Sequence, residues 1–181
     1  DRSLLSKTLV VLASDHGEEF LEHGHMKHCR TVYETEVRTP LMFWIPGAKG
    51  GTRIKAPAQN LDLVPTVLDY LPIASHHALD RKGMAGRSLR PAIESGTHVN
   101  THTFSAQAGR VAVTEGRWKL IAGSDSERGE LYDLPSDPGE RDEIAEKHPG
   151  VVERLRGVLR SRAKRGASST EEPLEDERRT E

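Results

Sequence analysis

The pattern of apolar and polar positions predicts two core strands near the start of the chain. The run from Thr8 to Ala13 is short, continuously apolar and β-branched, which is typical of a parallel strand covered on both faces. Thr39 to Ile45 predicts a second apolar strand. Between them, residues 17–22 favour a helical turn, and His23 to Thr31 forms a loop rich in histidine.

The middle of the chain predicts one clear helix. Residues 60–71 place Leu61, Val64, Leu68 and Leu71 at three- and four-residue spacing, which indicates an apolar stripe along a helix. A short edge strand is predicted at residues 52–56, and a looser stretch covers residues 72–100.

The last third of the chain predicts a small sheet followed by helix. Apolar runs separated by turn residues predict four short strands; these are Thr103 to Ala108, Val111 to Thr114, Trp118 to Ala122 and Glu130 to Leu134. Helix is predicted at residues 142–147 and again at 149–165, with an apolar stripe on the second. A shift in composition near Gly96 suggests three parts: residues 1–97, residues 98–165, and an acidic, disordered tail at 166–181.

Composition excludes several classes of function. The 181 residues have a net charge of −2 and only 4% aromatic residues, so the chain lacks the basic and stacking surfaces that bind nucleic acid. No apolar run is long enough for a membrane span. The single cysteine cannot form an internal disulfide.

The richest chemistry follows the first strand. Asp15 and His16 come directly after the Thr8 to Ala13 run, with Gly17 next. In open α/β sheets, ligands bind just beyond the carboxyl ends of the strands. The pair therefore suggests a metal or anion site. The alternative is that Asp15 caps a helix that begins near Gly17.

An ordered set of motifs resembles the sulfatases of the alkaline-phosphatase superfamily. The matching blocks are Ser14 to Glu18, Glu22 to Gly24 with His28 and Tyr33-Glu34, Val37 to Leu41 with Pro46-Gly47, Asn60 to Asp69, Gly86 to Leu89, Gly116 to Ile121 and Glu130 to Glu140. The resemblance implies an α/β fold: the carboxyl-terminal portion of an alkaline-phosphatase-like sandwich, followed by a small four-stranded antiparallel α+β subdomain. It also implies hydrolysis of a sulfate ester.

The resemblance assigns roles to particular residues. Asp15 and His16 match ligands of a divalent metal, usually calcium in the family, although an imidazole shifts preference toward a transition metal. His28 matches a residue that either stabilises charge on the sulfate or protonates the leaving alcohol. Lys27 is adjacent and chemically eligible for the same role. Cys29 lacks the Pro-x-Arg context of the family's nucleophile, so we expect it to be incidental.

Two family features do not occur in these 181 residues. The sequence holds no Cys/Ser-x-Pro-x-Arg motif, the source of the formylglycine nucleophile, and no Asp-Asp pair for the remaining metal ligands. We therefore expect the chain to be the carboxyl-terminal portion of a longer enzyme that acts on a small-molecule or carbohydrate sulfate ester. The alternatives are a phosphate- or phosphonate-ester hydrolase or phosphotransferase of the same superfamily, and an inert, truncated binding fragment.

Overall fold

A computed structural model of the protein describes residues 2–71, 84–123 and 126–168. The strands are β1 (Val10–Ala13), β2 (Glu19–Phe20), β3 (Met26–Lys27), β4 (Leu41–Trp44), β5 (Thr103–Gln107), β6 (Arg110–Glu115), β7 (Trp118–Gly123) and β8 (Ser126–Asp133). The helices are α1 (Arg2–Leu5), α2 (Glu34–Val37), α3 (Leu63–Tyr70), α4 (Arg90–Ser95) and α5 (Pro149–Ser168), with 3₁₀ turns at Asn60–Asp62 and Ala145–Lys147. None of the helices in these ranges is long and apolar enough to cross a membrane.

The first strand forms as predicted, but its surroundings differ from the prediction. β1 pairs antiparallel with β4, with Val10 opposite Trp44 and Leu12 opposite Met42. Because residues two apart share a face of a strand, these four side chains lie on one side of the ribbon, and all four are exposed. The prediction of a parallel strand covered on both faces is therefore wrong within the described residues.

Three short elements also differ from the prediction. Residues 17–22 are not helical; instead β2 pairs antiparallel with β3, with Glu19 opposite Lys27. Residues 52–56 form no strand. Between 142 and 147 only the 3₁₀ turn forms, because the Glu143 carboxylate accepts hydrogen bonds from the backbone of Leu131 and Ala145. At residues 17–22 and 142–147, strand pairing and side-chain hydrogen bonds override a weak local helix propensity.

The helix predicted from residue 60 is present as the 3₁₀ turn and α3, but it buries polar groups. Leu61 and Val64 of the predicted stripe are exposed, whereas Asp62 and Thr66 are fully buried. The Asp62 carboxylate accepts hydrogen bonds from the Arg87 amide at 2.8 Å and from Asn100 Nδ2 at 2.7 Å. These bonds join the α3 region to the segment that leads into the small sheet.

The four-stranded antiparallel sheet is confirmed, in the order β5-β6-β7-β8. Val113, Leu120 and Leu131 pair across the strands and face α5, whose Val152 and Leu155 are buried against them. The apolar stripe predicted on the helix at residues 149–165 is thus confirmed. The tail predicted to be disordered from residue 166 begins later, because α5 extends to Ser168. Residues 169–181 lie outside the described residues, and the division at residue 97 stays a prediction.

The other face of this sheet packs against the segment before α2. Side chains alternate along a strand, so Ala112, Ile121 and Tyr132 face away from α5, and they bury Val32 and Tyr33. A further contact is made by Tyr33, whose hydroxyl donates to Glu130 Oε2 at 2.6 Å. The sheet is consequently covered on both faces.

A buried lysine completes this packing. Lys119 shares the face of Ile121, and its side chain is 1% exposed. Its ammonium lies 2.9 Å from Glu34 Oε1 and 2.8 Å from Glu140 Oε1. Burial raises the pKa of Glu140, while the ammonium of Lys119 acts in the opposite direction. Glu140 also accepts a hydrogen bond from the Glu34 amide, so the three residues tie α2 to the sheet.

We predict that Lys119→Met destabilises the protein strongly. The variant leaves two carboxylates without their shared cation, one fully buried and one largely so, and removing one partner of a buried ion pair costs about 3–5 kcal/mol. Urea denaturation at neutral pH measures the loss. The control is Arg160→Met, which breaks an exposed pair with Glu153 and should leave the midpoint nearly unchanged. Equal effects of the two variants would contradict this account.

Candidate active site

Asp15 and His16 lie in the loop that follows β1, at the place the sequence predicted. The Ser14 hydroxyl donates to the His16 carbonyl at 2.7 Å. Asn60 Nδ2 donates to the carbonyls of Ser14 at 3.0 Å and of Asp15 at 3.2 Å. No helix follows Asp15, so the alternative that it is a helix cap is wrong. The loop backbone is held from within and from the Asn60–Asp62 turn.

His16 presents one free ring nitrogen beside a carboxylate. Its Nδ1 lies 2.7 Å from the Gly17 carbonyl, which can only accept, so Nδ1 carries the proton and Nε2 holds the lone pair in the neutral ring. This hydrogen bond is the main cause of the raised pKa of His16. Nε2 lies 3.7 Å from Asp15 Oδ2. The pair thus offers one nitrogen and one carboxylate ligand side by side.

His28 stands directly against this pair. Its ring stacks on that of His16, with centroids 4.1 Å apart and planes inclined by 27°. Its Nδ1 lies 3.3 Å from both carboxylate oxygens of Glu18. The structure therefore brings together Asp15, His16 and His28, three of the four residues singled out from the sequence. The fourth, Lys27, is exposed in β3 next to His28.

Among the described residues, no group of three or more histidine, cysteine, aspartate and glutamate side chains is arranged to hold a metal ion. Asp15 and His16 are two neighbouring ligands, which is fewer than a divalent metal requires. His23 faces elsewhere, because its ring stacks on Tyr33 with centroids 3.6 Å apart. Burial there lowers the pKa of His23.

Two buried glutamates, which the sequence analysis missed, shape the loop that carries His28. The Glu36 carboxylate accepts hydrogen bonds from the amides of Cys29 at 2.9 Å and Thr31 at 3.1 Å. The Thr31 hydroxyl also donates to Glu19 Oε1 at 2.9 Å. Cys29 itself is exposed. Both glutamates lie near the family motifs, but nothing in the sequence distinguishes a buried carboxylate from a solvated one.

Gly17 allows the two halves of the site to approach each other. Its amide donates to the Glu36 carbonyl at 2.7 Å. A Cβ at this position would lie 2.0 Å from the Thr35 carbonyl oxygen, well inside contact distance. Only glycine can therefore stand between His16 and the backbone of α2.

We predict that Gly17→Ala displaces His16 and lowers stability by about 1–3 kcal/mol, the usual cost of forcing extra atoms into a packed site. Denaturation curves measure the stability, and the imidazole NMR signals of His16 and His28 report the displacement. Gly50→Ala is the matched control, since a Cβ there meets nothing within 4 Å. Unchanged imidazole signals in Gly17→Ala would show that the close approach does not position His16.

Comparison with known proteins first defines the class. The fold matches that of solved enzymes of the alkaline-phosphatase superfamily. A 2-O GAG sulfatase superposes with a TM-score of 0.73 at 25% identity, over 87% of this chain and 36% of that one. A phosphonate monoester hydrolase from Silicibacter pomeroyi superposes with a TM-score of 0.68 at 28% identity, over 88% of this chain and 35% of that one.

Sequence comparison then finds relatives of this chain among the sulfatases. The model of the sulfatase family matches residues 1–73. Arylsulfatase K of Rattus norvegicus is 30% identical over 178 residues, which cover 88% of this chain and 30% of that protein. The chain is therefore similar to sulfatases over most of its length. It spans a little under a third of the length of the curated relatives it matches.

Proposed function

We propose that the chain is the carboxyl-terminal portion of a sulfatase and supplies one side of its active site. The observation that supports this proposal is the contact between His16 and His28, because Asp15 and His16 can ligate a metal and His28 beside them can donate a proton. Hydrolysis of a sulfate ester needs both: positive charge near the sulfate oxygens and a proton for the leaving alcohol.

Asp15 and His16 fit one side of a divalent metal site. His16 Nε2 and the Asp15 carboxylate are two suitable donors 3.7 Å apart, and the hydrogen bond from His16 Nδ1 to Gly17 keeps the ring in the tautomer that can ligate through Nε2. Calcium accepts carboxylate oxygens, and the imidazole also suits transition metals. When bound, the metal supplies polarisation of a sulfate oxygen. We propose that the remaining ligands come from residues outside these 181.

His28 is proposed to act on the leaving group. Its Nδ1 contacts the Glu18 carboxylate, so Nε2 is the ring atom that can donate to the oxygen of the departing alcohol. An imidazole suits this task because its pKa lies near working pH. Lys27 next to it is a second candidate and would serve as a positive charge close to the sulfate.

The nucleophile is proposed to be a formylglycine hydrate outside residues 1–181, since the sequence has no motif for its formation. We propose a carbohydrate sulfate ester as the substrate class, supported by the likeness to a 2-O GAG sulfatase. The likeness to a phosphonate monoester hydrolase supports a second candidate, in which the same site cleaves a phosphonate or phosphate ester.

The test uses the native protein that carries this chain. We predict that His28→Ala lowers kcat for a sulfated saccharide by about 10²–10⁴, the usual contribution of a general acid. Asp15→Ala should raise the calcium concentration needed for half-maximal activity, because a ligand is lost. Cys29→Ser is the control and should change neither quantity.

Parallel assays with a phenyl phosphonate monoester distinguish the two candidates. Faster turnover of the sulfate ester supports the sulfatase, and faster turnover of the phosphonate supports the second candidate. We expect no activity from residues 1–181 alone. Activity of the isolated chain that is lost in Cys29→Ser would overturn the proposal, because Cys29 would then be the nucleophile.

A further inference from the structure

We infer that Glu18 is a positioning residue for His28: it holds the proton on Nδ1 and so directs Nε2 toward the leaving oxygen. This inference rests on the proposed function. Glu18 follows the Asp15-His16-Gly17 turn, ten residues before His28 along the chain.

The contact itself fixes the tautomer. Both carboxylate oxygens of Glu18 lie 3.3 Å from His28 Nδ1, and an ionised carboxylate can only accept. The contact therefore favours the tautomer with the proton on Nδ1. An imidazole without such a partner exchanges between its two tautomers. In one of them the proton lies on Nε2 and the lone pair on Nδ1, the reverse of the arrangement that Glu18 favours.

The surrounding backbone holds both partners in place. The Glu18 amide donates to the Thr35 carbonyl at 3.1 Å, and the Cys29 amide next to His28 donates to buried Glu36. The ring of His16 covers one face of the His28 ring. Glu18 supplies the remaining restraint, because its contact with Nδ1 favours this orientation over the one turned by 180° about the Cβ–Cγ bond.

The two imidazoles of the site are thus arranged in the same way. His16 gives its Nδ1 proton to the Gly17 carbonyl, and His28 gives its Nδ1 proton to Glu18. In both rings Nε2 remains available, to bind a metal in His16 and to donate a proton in His28. The different acceptors fit different tasks, since a carboxylate also stabilises the imidazolium that a general acid must form, as the aspartate does in hydrolase triads.

The proton balance of the step is complete. The sulfuryl group passes from the leaving alcohol to the nucleophile of the enzyme, which attacks as its alkoxide: a sulfur–oxygen bond forms to the alkoxide oxygen, and the one to the alcohol breaks. The Nε2 proton of the His28 imidazolium moves to the alcohol oxygen, and the electron pair of that N–H bond stays on Nε2. His28 is left neutral with its proton on Nδ1, in contact with the Glu18 carboxylate.

The first test compares leaving groups in the native protein. Glu18→Ala should lower kcat about 10- to 100-fold for a sulfated saccharide, the range found when the partner of a functional histidine is lost. For 4-nitrophenyl sulfate, whose leaving group needs no proton, the change should stay within about twofold. KM should change little for either substrate. Glu18→Gln keeps the size of the side chain but loses the charge and adds a donor, so it should recover little of the lost rate.

The matched control is Glu22→Ala. Glu22 lies in the same hairpin, but its carboxylate accepts from the Phe20 amide, so the variant should not distinguish the two substrates. Equal losses of kcat for both substrates in Glu18→Ala would overturn the inference, since they would indicate a general disturbance of the site.

A second test is independent of activity. Nitrogen-15 NMR of the native protein at alkaline pH should show a protonated Nδ1 and an unprotonated Nε2 for His28, and a mixture of tautomers in Glu18→Ala. If the native protein has no sulfatase activity, the proposed function fails, yet this measurement still decides whether Glu18 fixes His28. An unchanged tautomer in Glu18→Ala would overturn the inference.

Discussion

The structure depends on one buried lysine shared by two glutamates. Lys119 is sealed between the sheet and α2, where its ammonium contacts Glu34 and Glu140. Desolvating three charges is costly, and the cost is offset only when all three groups keep their partners. The arrangement therefore favours one relative position of the sheet and the α2 segment. Each charge comes from a different sulfatase-like block, so three motifs that are distant along the chain share one structural purpose.

Buried carboxylates also position the candidate active site. Glu36 lies in α2 two residues after Glu34, and its buried carboxylate holds the loop that carries His28. Gly17 brings the Asp15-His16 loop against the backbone of α2. The site is thus positioned by buried carboxylates and backbone hydrogen bonds more than by apolar packing. Such bonds are directional, which suits a site that must orient two imidazole rings.

Sequence patterns predicted the elements whose structure follows from the residues within the element itself. The four strands of the sheet and the stripe on α5 follow from periods of two and of about three and a half residues, which Val113, Leu120 and Leu155 satisfy. Elements that depend on distant partners were missed. The β2–β3 hairpin forms around Glu19, which is bound to Thr31, and the pairing of Lys119 with Glu34 spans 85 residues. The resemblance to sulfatases singled out His16 and His28, but the tautomers and the role of Glu18 required coordinates.

Amide hydrogen exchange tests the central claim, that the buried lysine holds the site in place. The comparison is between the wild-type protein and Lys119→Met under native conditions, with Arg160→Met as the reference. We expect the amides of Cys29 and Thr31, which donate to Glu36, to exchange faster in Lys119→Met together with those of α2 and β7. If the amides of β7 exchange faster while those of Cys29 and Thr31 keep their wild-type rates, the site is held independently of Lys119, and the account is contradicted.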